Sequence, residues 1–332
     1  MAATIKDIAQ KTGLGLATIS SYLNGGSVRE ANRIKIEEAI KELNFEVNEV
    51  ARGLKTSKTH TIGVILPELH NVFHTEIISE MEEYFRRHGY ATIVCDCKNS
   101  AKLEKEAADF LYRKRVDGLM NIPVSSDGTH LARFIKNNKP IVLIDRKLNT
   151  LPCDCVLVNN RSAAKDAVNI LIQNGHTEIG IIGGPEEVYT AQERLAGYKD
   201  ALTEAGIDLS PDLIAHGNYT IKGGAQCMKS LIQRNPGMTA VFVVNYEMTM
   251  GAAIGLNELG LSIGAEISMV GYDNVDFARA INPTLTIVSQ PTAGIAEEAA
   301  GLMLRRLEGN KEAFQIIELD SVILHGKSVR KI

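Results

Sequence analysis

Residues 61–97 read TIGVILPELHNVFHTEIISEMEEYFRRHGYATIVCDC. An apolar run (TIGVIL) is followed by an amphipathic stretch (EIISEMEEYFRRHG) that ends on Gly89, where a helix C-cap belongs, and then by a second apolar run (ATIVCDC). This is a strand-helix-strand unit, and it recurs along the chain. Further strand-like runs are GLMNIP, PIVLID, CVLVNN, EIGIIGG, LIAHG, AVFVVN and EISMVGYD, interleaved with helical stretches such as SAAKDAVNILIQNG. Gly175, Gly206 and Gly260 stand at further C-cap positions. Near-continuous runs such as IVLI and VFVV suit strands buried on both faces, which is the condition of a parallel sheet covered by helices. Nine or more strands exceed what one open sheet comfortably holds. The expectation is two doubly wound lobes with a cleft where the carboxyl ends of their strands converge.

Before residue 60 the pattern is different. The first 46 residues carry helix signals and no strand, so a separate N-terminal unit is expected, in keeping with a length of 332 residues. Thr4 and Asp7 are spaced as a capping-box-like pair opening a helix with Ile5, Ile8 and Ala9 on one face. Gly13-Leu14-Gly15 interrupts it, and LATISSYLN restarts a helix with Ile19, Tyr22 and Leu23 at packing distances. A third segment, Arg29 to Leu43, aligns Ile36, Ala39, Ile40 and Leu43, with Ser27 and Glu30 spaced as a capping box at its start. Two short helices joined by a tight glycine turn are the helix-turn-helix arrangement, and the short exposed side chains Leu16, Ala17, Thr18, Ser20 and Ser21 would let the second helix enter a major groove closely. A small helical bundle without DNA is the alternative on these residues alone.

Charge allows a local nucleic-acid surface but not a basic protein. The formal net charge is -4, while residues 1–60 hold nine Lys/Arg against seven Asp/Glu, or +2. No apolar run is long enough to span a membrane and the N-terminal residues do not read as a signal peptide, so a cytoplasmic protein is expected. Two Cys-Asp-Cys triplets, Cys95/Cys97 and Cys153/Cys155, invite a four-thiolate zinc reading, but the ligand spacing is too short and each borders a strand; ordinary buried thiols are expected, with no metal and no cofactor.

The segments TIKDIAQKTGLGLATISSYLNG, NEVARGLKTSKTHTIGVILP, RVDGLM, NGHTEIGIIGGP, ERLAGYKDAL, ISMVGYDN and PTLTIVSQP together resemble the lactose-repressor (LacI/GalR) family over essentially the whole chain. The resemblance implies an α/β fold: a three-helix helix-turn-helix headpiece (1–47), a hinge (48–57), and a two-lobed core of doubly wound parallel sheets like that of periplasmic binding proteins (58–332). The lobes would be about 58–159 with 291–318, and about 160–290 with 319–332. It implies base contacts from Leu16, Ala17 and Ser21, phosphate contacts from Thr4, Thr18, Ser20 and Asn24, and hinge contacts from Ala51, Leu54 and Lys55, with Leu54 as a minor-groove wedge. A nine-residue hinge helix containing Gly53 is marginal alone, which suits folding on DNA. Gly15 in place of a serine cap, Ser21 in place of a frequent arginine and a shortened segment after Asn24 leave the operator sequence open.

For the core, the resemblance places an effector in the cleft, on Asn71, Phe73, Asp145, Thr190, Arg194, Tyr219, Asn245 and Asp273. Their chemistry suits a polyhydroxylated ligand such as a sugar: acids and amides for hydroxyls, an arginine fork, and aromatic rings to stack on a ring. Val72, His74 and Tyr246 depart from the family's usual residues, so the ligand is not named. No P-loop, HExxH or G-x-S-x-G motif is present, and Gly13-x-Gly15 follows a helix rather than a strand, so no enzyme is expected. The expectation is a metabolite-controlled repressor acting on a pseudo-palindromic operator as a homodimer, the dimer argued from Ile77, Met81 and Tyr84 on one face of helix 75–88 and Ile78 and Phe85 on another. Control by a phosphocarrier protein and a transporter's solute-binding protein are the alternatives.

Overall fold

The computed structural model describes residues 3–46, 58–148, 150–273 and 275–332. The hinge positions Ala51, Leu54 and Lys55 lie outside the described residues. The chain forms two compact units, Met1–Thr59 and His60–Ile332.

Among its described residues the first unit has three helices: α1 (Ile5–Thr12), α2 (Leu16–Leu23) and α3 (Glu30–Glu42). The Asp7 carboxylate accepts from both the Thr4 backbone N–H and the Thr4 hydroxyl at 2.7 Å, satisfying the start of α1. Gly13 ends it at φ 68°, where a side chain would be strained. Ile8, Ile19, Ile36 and Ala39, one or two from each helix, are buried together, with Tyr22, Leu23, Ile40 and Leu43 packed around them. The Ser27-Glu30 box does not form. Helix α3 starts on Arg29 as N-cap, leaving Ser27 outside the capping position, and Glu30 instead accepts from Arg33 Nη2 at 2.6 Å.

The second unit holds two six-stranded sheets. The first is built from β1 (Thr61–Leu66), β2 (Ala91–Asp96), β3 (Gly118–Asn121), β4 (Ile141–Ile144), β5 (Asp154–Val158) and β11 (Ile316–Leu319), in the order β11-β5-β4-β3-β1-β2 and parallel throughout. Helices α4 (Val72–Arg87), α5 (Ala101–Arg113) and α6 (Ala132–Lys136) connect its early strands, and α12 (Thr292–Leu307) returns to pack beside α4. Alternation along β1 explains the layering: Ile62, Val64 and Leu66 join α4 and α12 in one core cluster, while Ile65 joins Leu111 of α5 in another.

The second sheet runs β12-β10-β9-β8-β6-β7, formed by β6 (Ile179–Gly183), β7 (Ile214–His216), β8 (Ala240–Val243), β9 (Ser268–Tyr272), β10 (Thr286–Ser289) and β12 (Val322–Leu324). Its helices are α7 (Asn160–Gln173), α8 (Tyr189–Glu204), α9 (Ile221–Arg234), α10 (Tyr246–Glu258) and α11 (Val275–Ala280). Strand β12 pairs antiparallel with β10, so this sheet is parallel except at that edge.

One further expectation changes here. Helix α4 begins at Val72, and Ile77, Met81 and Phe85 form one fully buried stripe with Ile78 and Tyr84 packed at its border. It therefore does not offer the two apolar faces on which a dimer was argued. The cysteine triplets lie on β2 and β5, separated in the sheet by β1, β3 and β4, hence by roughly 19 Å at the usual strand spacing. The four thiols do not converge, and burial pushes those of Cys97 and Cys153 up to about 12.

Candidate functional site

In the headpiece unit, Leu16 and Ala17 at the start of α2 are exposed, Leu16 to 46%. Gly15 caps that helix through backbone alone, which leaves its first-turn N–H groups clear of a side chain. Thr18, Ser20 and Ser21 are half-buried, and Ser21 lies under the Gly25-Gly26 turn: a Cβ on Gly26 would sit 2.4 Å from its hydroxyl. Thr4 and Asn24 are exposed but already engaged, Thr4 with Asp7 and Asn24 through Nδ2 to the Ser20 carbonyl at 2.7 Å. The α2 surface is thus small, apolar at its tip and ringed by hydroxyls.

In the second unit, the eight effector positions expected from sequence converge on one cleft. They come from the carboxyl ends of strands and the helices that follow, because that is where parallel strands hand over to loops. Asp145 follows β4, Tyr219 follows β7 and Asp273 follows β9, all with left-handed backbone (φ 65°, 58° and 58°), a conformation costing about 1 kcal/mol or more for a residue with a side chain. Gly184 makes room for the Tyr219 ring, since a Cβ there would lie 2.3 Å from it. Asn71 and Asn245 are both helix N-caps, accepting from Phe73 N and Met248 N at 3.0 Å, so each has a structural duty as well as a place in the cleft.

Arg194 on α8 is 4% exposed and rigidly held. Its Nε donates to Asn160 Oδ1 at 2.7 Å and its Nη1 to the Val244 carbonyl at 2.6 Å, and its guanidinium lies over the Tyr272 ring at 3.8 Å. Asp273 accepts from Gln290 Nε2 at 2.8 Å; burial pushes its carboxyl up to about 6, against the pull of Arg194 and that hydrogen bond. Asp145 and Arg146 pair side by side (3.4 Å), with Arg146 Nη1 also donating to the Pro123 carbonyl at 2.9 Å. Even so, Asp145 Oδ1, Arg146 Nε and Gln290 Oε1 are buried without a hydrogen bond among the described residues. Leaving such groups unsatisfied is costly, and in a cleft they are what a polar ligand satisfies. The free volume among these side chains is only about 40 Å³, whereas an adjoining chamber lined by Ser125, Ser126, Arg146, Lys147, Tyr189 and Gln192 holds about 500 Å³. Small-molecule sites are usually several hundred Å³, so the described arrangement is nearly shut around the expected residues.

Residues 4–48 match the model of bacterial regulatory proteins of the lacI family, and residues 59–315 match that of periplasmic binding proteins and the sugar-binding domain of the same family. The chain belongs to the LacI family. Among relatives, it is 33% identical over 309 residues to the HTH-type transcriptional repressor CytR of Escherichia coli (strain K12), covering 93% of this chain and 91% of CytR. Among solved structures, the lac repressor dimer bound to operator and the anti-inducer ONPF matches with a TM-score of 0.88 at 25% identity, covering 99% of this chain and 100% of that one. A complex of the regulator CelR with cellobiose matches at a TM-score of 0.76 and 26% identity, over 98% and 99% of the two chains. This LacI-family protein is a helix-turn-helix transcriptional regulator and not an enzyme. Among its described residues no helix is long and apolar enough to cross a membrane.

Two histidines of the LacI-family core are buried. His176 is buried, within 2.8 Å of Thr239 Oγ1 and 3.1 Å of the Arg330 carbonyl, a structural tie. His74 lines the cleft, but burial and Arg146 push it down to about 4, so it stays neutral. Sequence reasoning missed His74, Arg146 and Gln290 as cleft residues. For Gln290 a signal existed: it follows the apolar strand β10 as Asp145 follows β4 and Asp273 follows β9. Arg146 carried none, because its burial depends on the Pro123 carbonyl 23 residues away.

Proposed function

We propose that this regulator acts in the cytoplasm as a homodimeric repressor of a pseudo-palindromic operator, and that a small polyhydroxylated metabolite, a sugar or similar, controls its operator affinity from the cleft. The lobes that move are taken as residues 58–159 with 291–318 and residues 160–290 with 319–332. Leu16, Ala17 and Ser21 are assigned to bases, Thr4, Thr18, Ser20 and Asn24 to phosphates, and Ala51, Leu54 and Lys55 to the hinge contact with the minor groove. The effector set is Asn71, Phe73, Asp145, Thr190, Arg194, Tyr219, Asn245 and Asp273, with Arg146 and Gln290 added.

The observation that carries the effector reading is the group of buried polar atoms without a hydrogen bond among the described residues, Asp145 Oδ1, Arg146 Nε and Gln290 Oε1, at one cleft beside Phe73 and Tyr219. A ligand presenting several hydroxyls supplies donors and acceptors to all three while an aromatic ring covers its apolar face. The cellobiose complex of CelR and the operator-bound lac repressor dimer support the ligand class and the dimer. Thermal-shift screening of the full chain against mono- and disaccharides, nucleosides and amino acids tests it, each hit being carried into fluorescence anisotropy on labelled operator. A polyhydroxylated hit that changes operator affinity is expected; hits confined to ligands without hydroxyls would overturn the assignment.

A further inference from the structure

At the edge of the cleft, Glu68 and His70 on the loop after β1 meet Glu247 in the first turn of α10, so side chains attached to the two different sheets come together. His70 Nε2 lies 3.3 Å from Glu68 Oε2 and 3.7 Å from Glu247 Oε1, and all three donor atoms fall within 4.8 Å of one another. Ligands about 2.0–2.2 Å from a tetrahedral zinc ion are roughly 3.3–3.6 Å apart, so small side-chain adjustments would bring this trio to coordination distance.

Glu247 is the buried member of the trio. It is 6% exposed, and its Oε1 faces His70 Nε2 at 3.7 Å. A neighbouring imidazole, 69% exposed and beyond hydrogen-bond distance, does little to compensate a buried carboxylate.

We propose that Glu68, His70 and Glu247 form a binding site for a divalent transition-metal ion of the zinc class, tying the loop after β1 to helix α10 across the mouth of the cleft. One imidazole and two carboxylates suit such an ion, whereas calcium and magnesium prefer an all-oxygen set. Water completes the fourth position. Because the ligands come from both sheets, the ion binds best when they are drawn together, and by linkage it favours the shut cleft. The site does not depend on which molecule fills the cleft, although Glu68 borders both.

The test is zinc titration of the full chain in competition with a chromophoric chelator, with His70→Ala and Glu247→Gln alongside. One ion per chain is expected, with affinity falling roughly tenfold or more in each variant. His70 is exposed and Glu247→Gln is isosteric, so both variants should fold, as a circular dichroism melt verifies. Cobalt substitution separates this site from the cysteines, since thiolate ligation adds a strong near-ultraviolet charge-transfer band and this site adds none. Hydrogen exchange should show zinc-dependent protection in both 68–71 and 246–249. Unchanged affinity in both variants, a thiolate band accounting for all bound cobalt, or protection on one side only would overturn the proposal.

Discussion

The headpiece face of α2 and the cleft are built in opposite ways. The headpiece face of α2 exposes Leu16 and Ala17 above a core of four buried residues, and the polar side chains around it are exposed or half-buried. In the cleft, Asp145, Arg146, Arg194 and Asn245 are each less than 9% exposed and sit on two extensive sheets. An exposed contact surface needs little support because water satisfies it when the partner leaves. A buried one needs a rigid frame to hold charges out of water, and that frame is the large α/β core.

The largest effect that separates the two regions is expected from Ile19→Ala. Removing a buried isoleucine costs about 2–5 kcal/mol, comparable to the whole stability of a helical unit this small. Operator binding should be lost and the headpiece resonances should collapse in a two-dimensional NMR spectrum, while effector binding and the main thermal transition persist. Simultaneous loss of both would show that the two units do not fold separately.

Next in size are Arg194→Ala and Asp273→Asn, which should lower effector affinity more than about tenfold and leave operator binding near wild type. Arg194→Ala also strips the donor from Asn160 Oδ1 and the Val244 carbonyl, a further cost of roughly 1–3 kcal/mol in core stability. Asp273→Asn is the cleaner probe. Anisotropy on labelled operator, titrated with the effector, measures both, and wild-type effector affinity in both variants would remove the cleft from the regulatory scheme.

A smaller and pH-dependent effect follows from Asp273. Its carboxyl is raised from 3.8 to about 6 in the folded chain, so the folded state holds the proton more tightly than the unfolded one. Its contribution to stability is therefore greatest at low pH and is lost as pH rises from about 4 through 6. For the ligand the direction is reversed: a carboxylate that accepts from hydroxyls is available above about pH 6 and is lost below it. Effector affinity should fall between pH 7 and pH 5, and Asp273→Asn should flatten that part of the profile. An identical profile in the variant would assign the titration to another group.

The smallest effect is expected from Thr4→Ala, which removes the hydroxyl that donates to Asp7. A lost cap costs about 1 kcal/mol, read as a lower melting temperature of the headpiece with the core transition unmoved.

The sequence by itself determined the α/β class, the helical first unit and the convergence of polar residues at strand ends. Each of these is written in short periods: alternation within TIGVIL, the 3.6-residue spacing of Ile36, Ala39, Ile40 and Leu43, and an acid directly after an apolar run at Asp145 and Asp273. Only the tertiary structure decided the rest. It reversed strand β12, turned the second apolar face of α4 into part of one buried stripe, and kept the cysteine triplets apart on β2 and β5. It also locked Arg194 to a carbonyl 50 residues away and brought Glu247 opposite Glu68 and His70. These are contacts between segments distant in the chain, set by sheet order and by how the helices pack. No local periodicity encodes them, because the free energy that selects them comes from burying whole layers together.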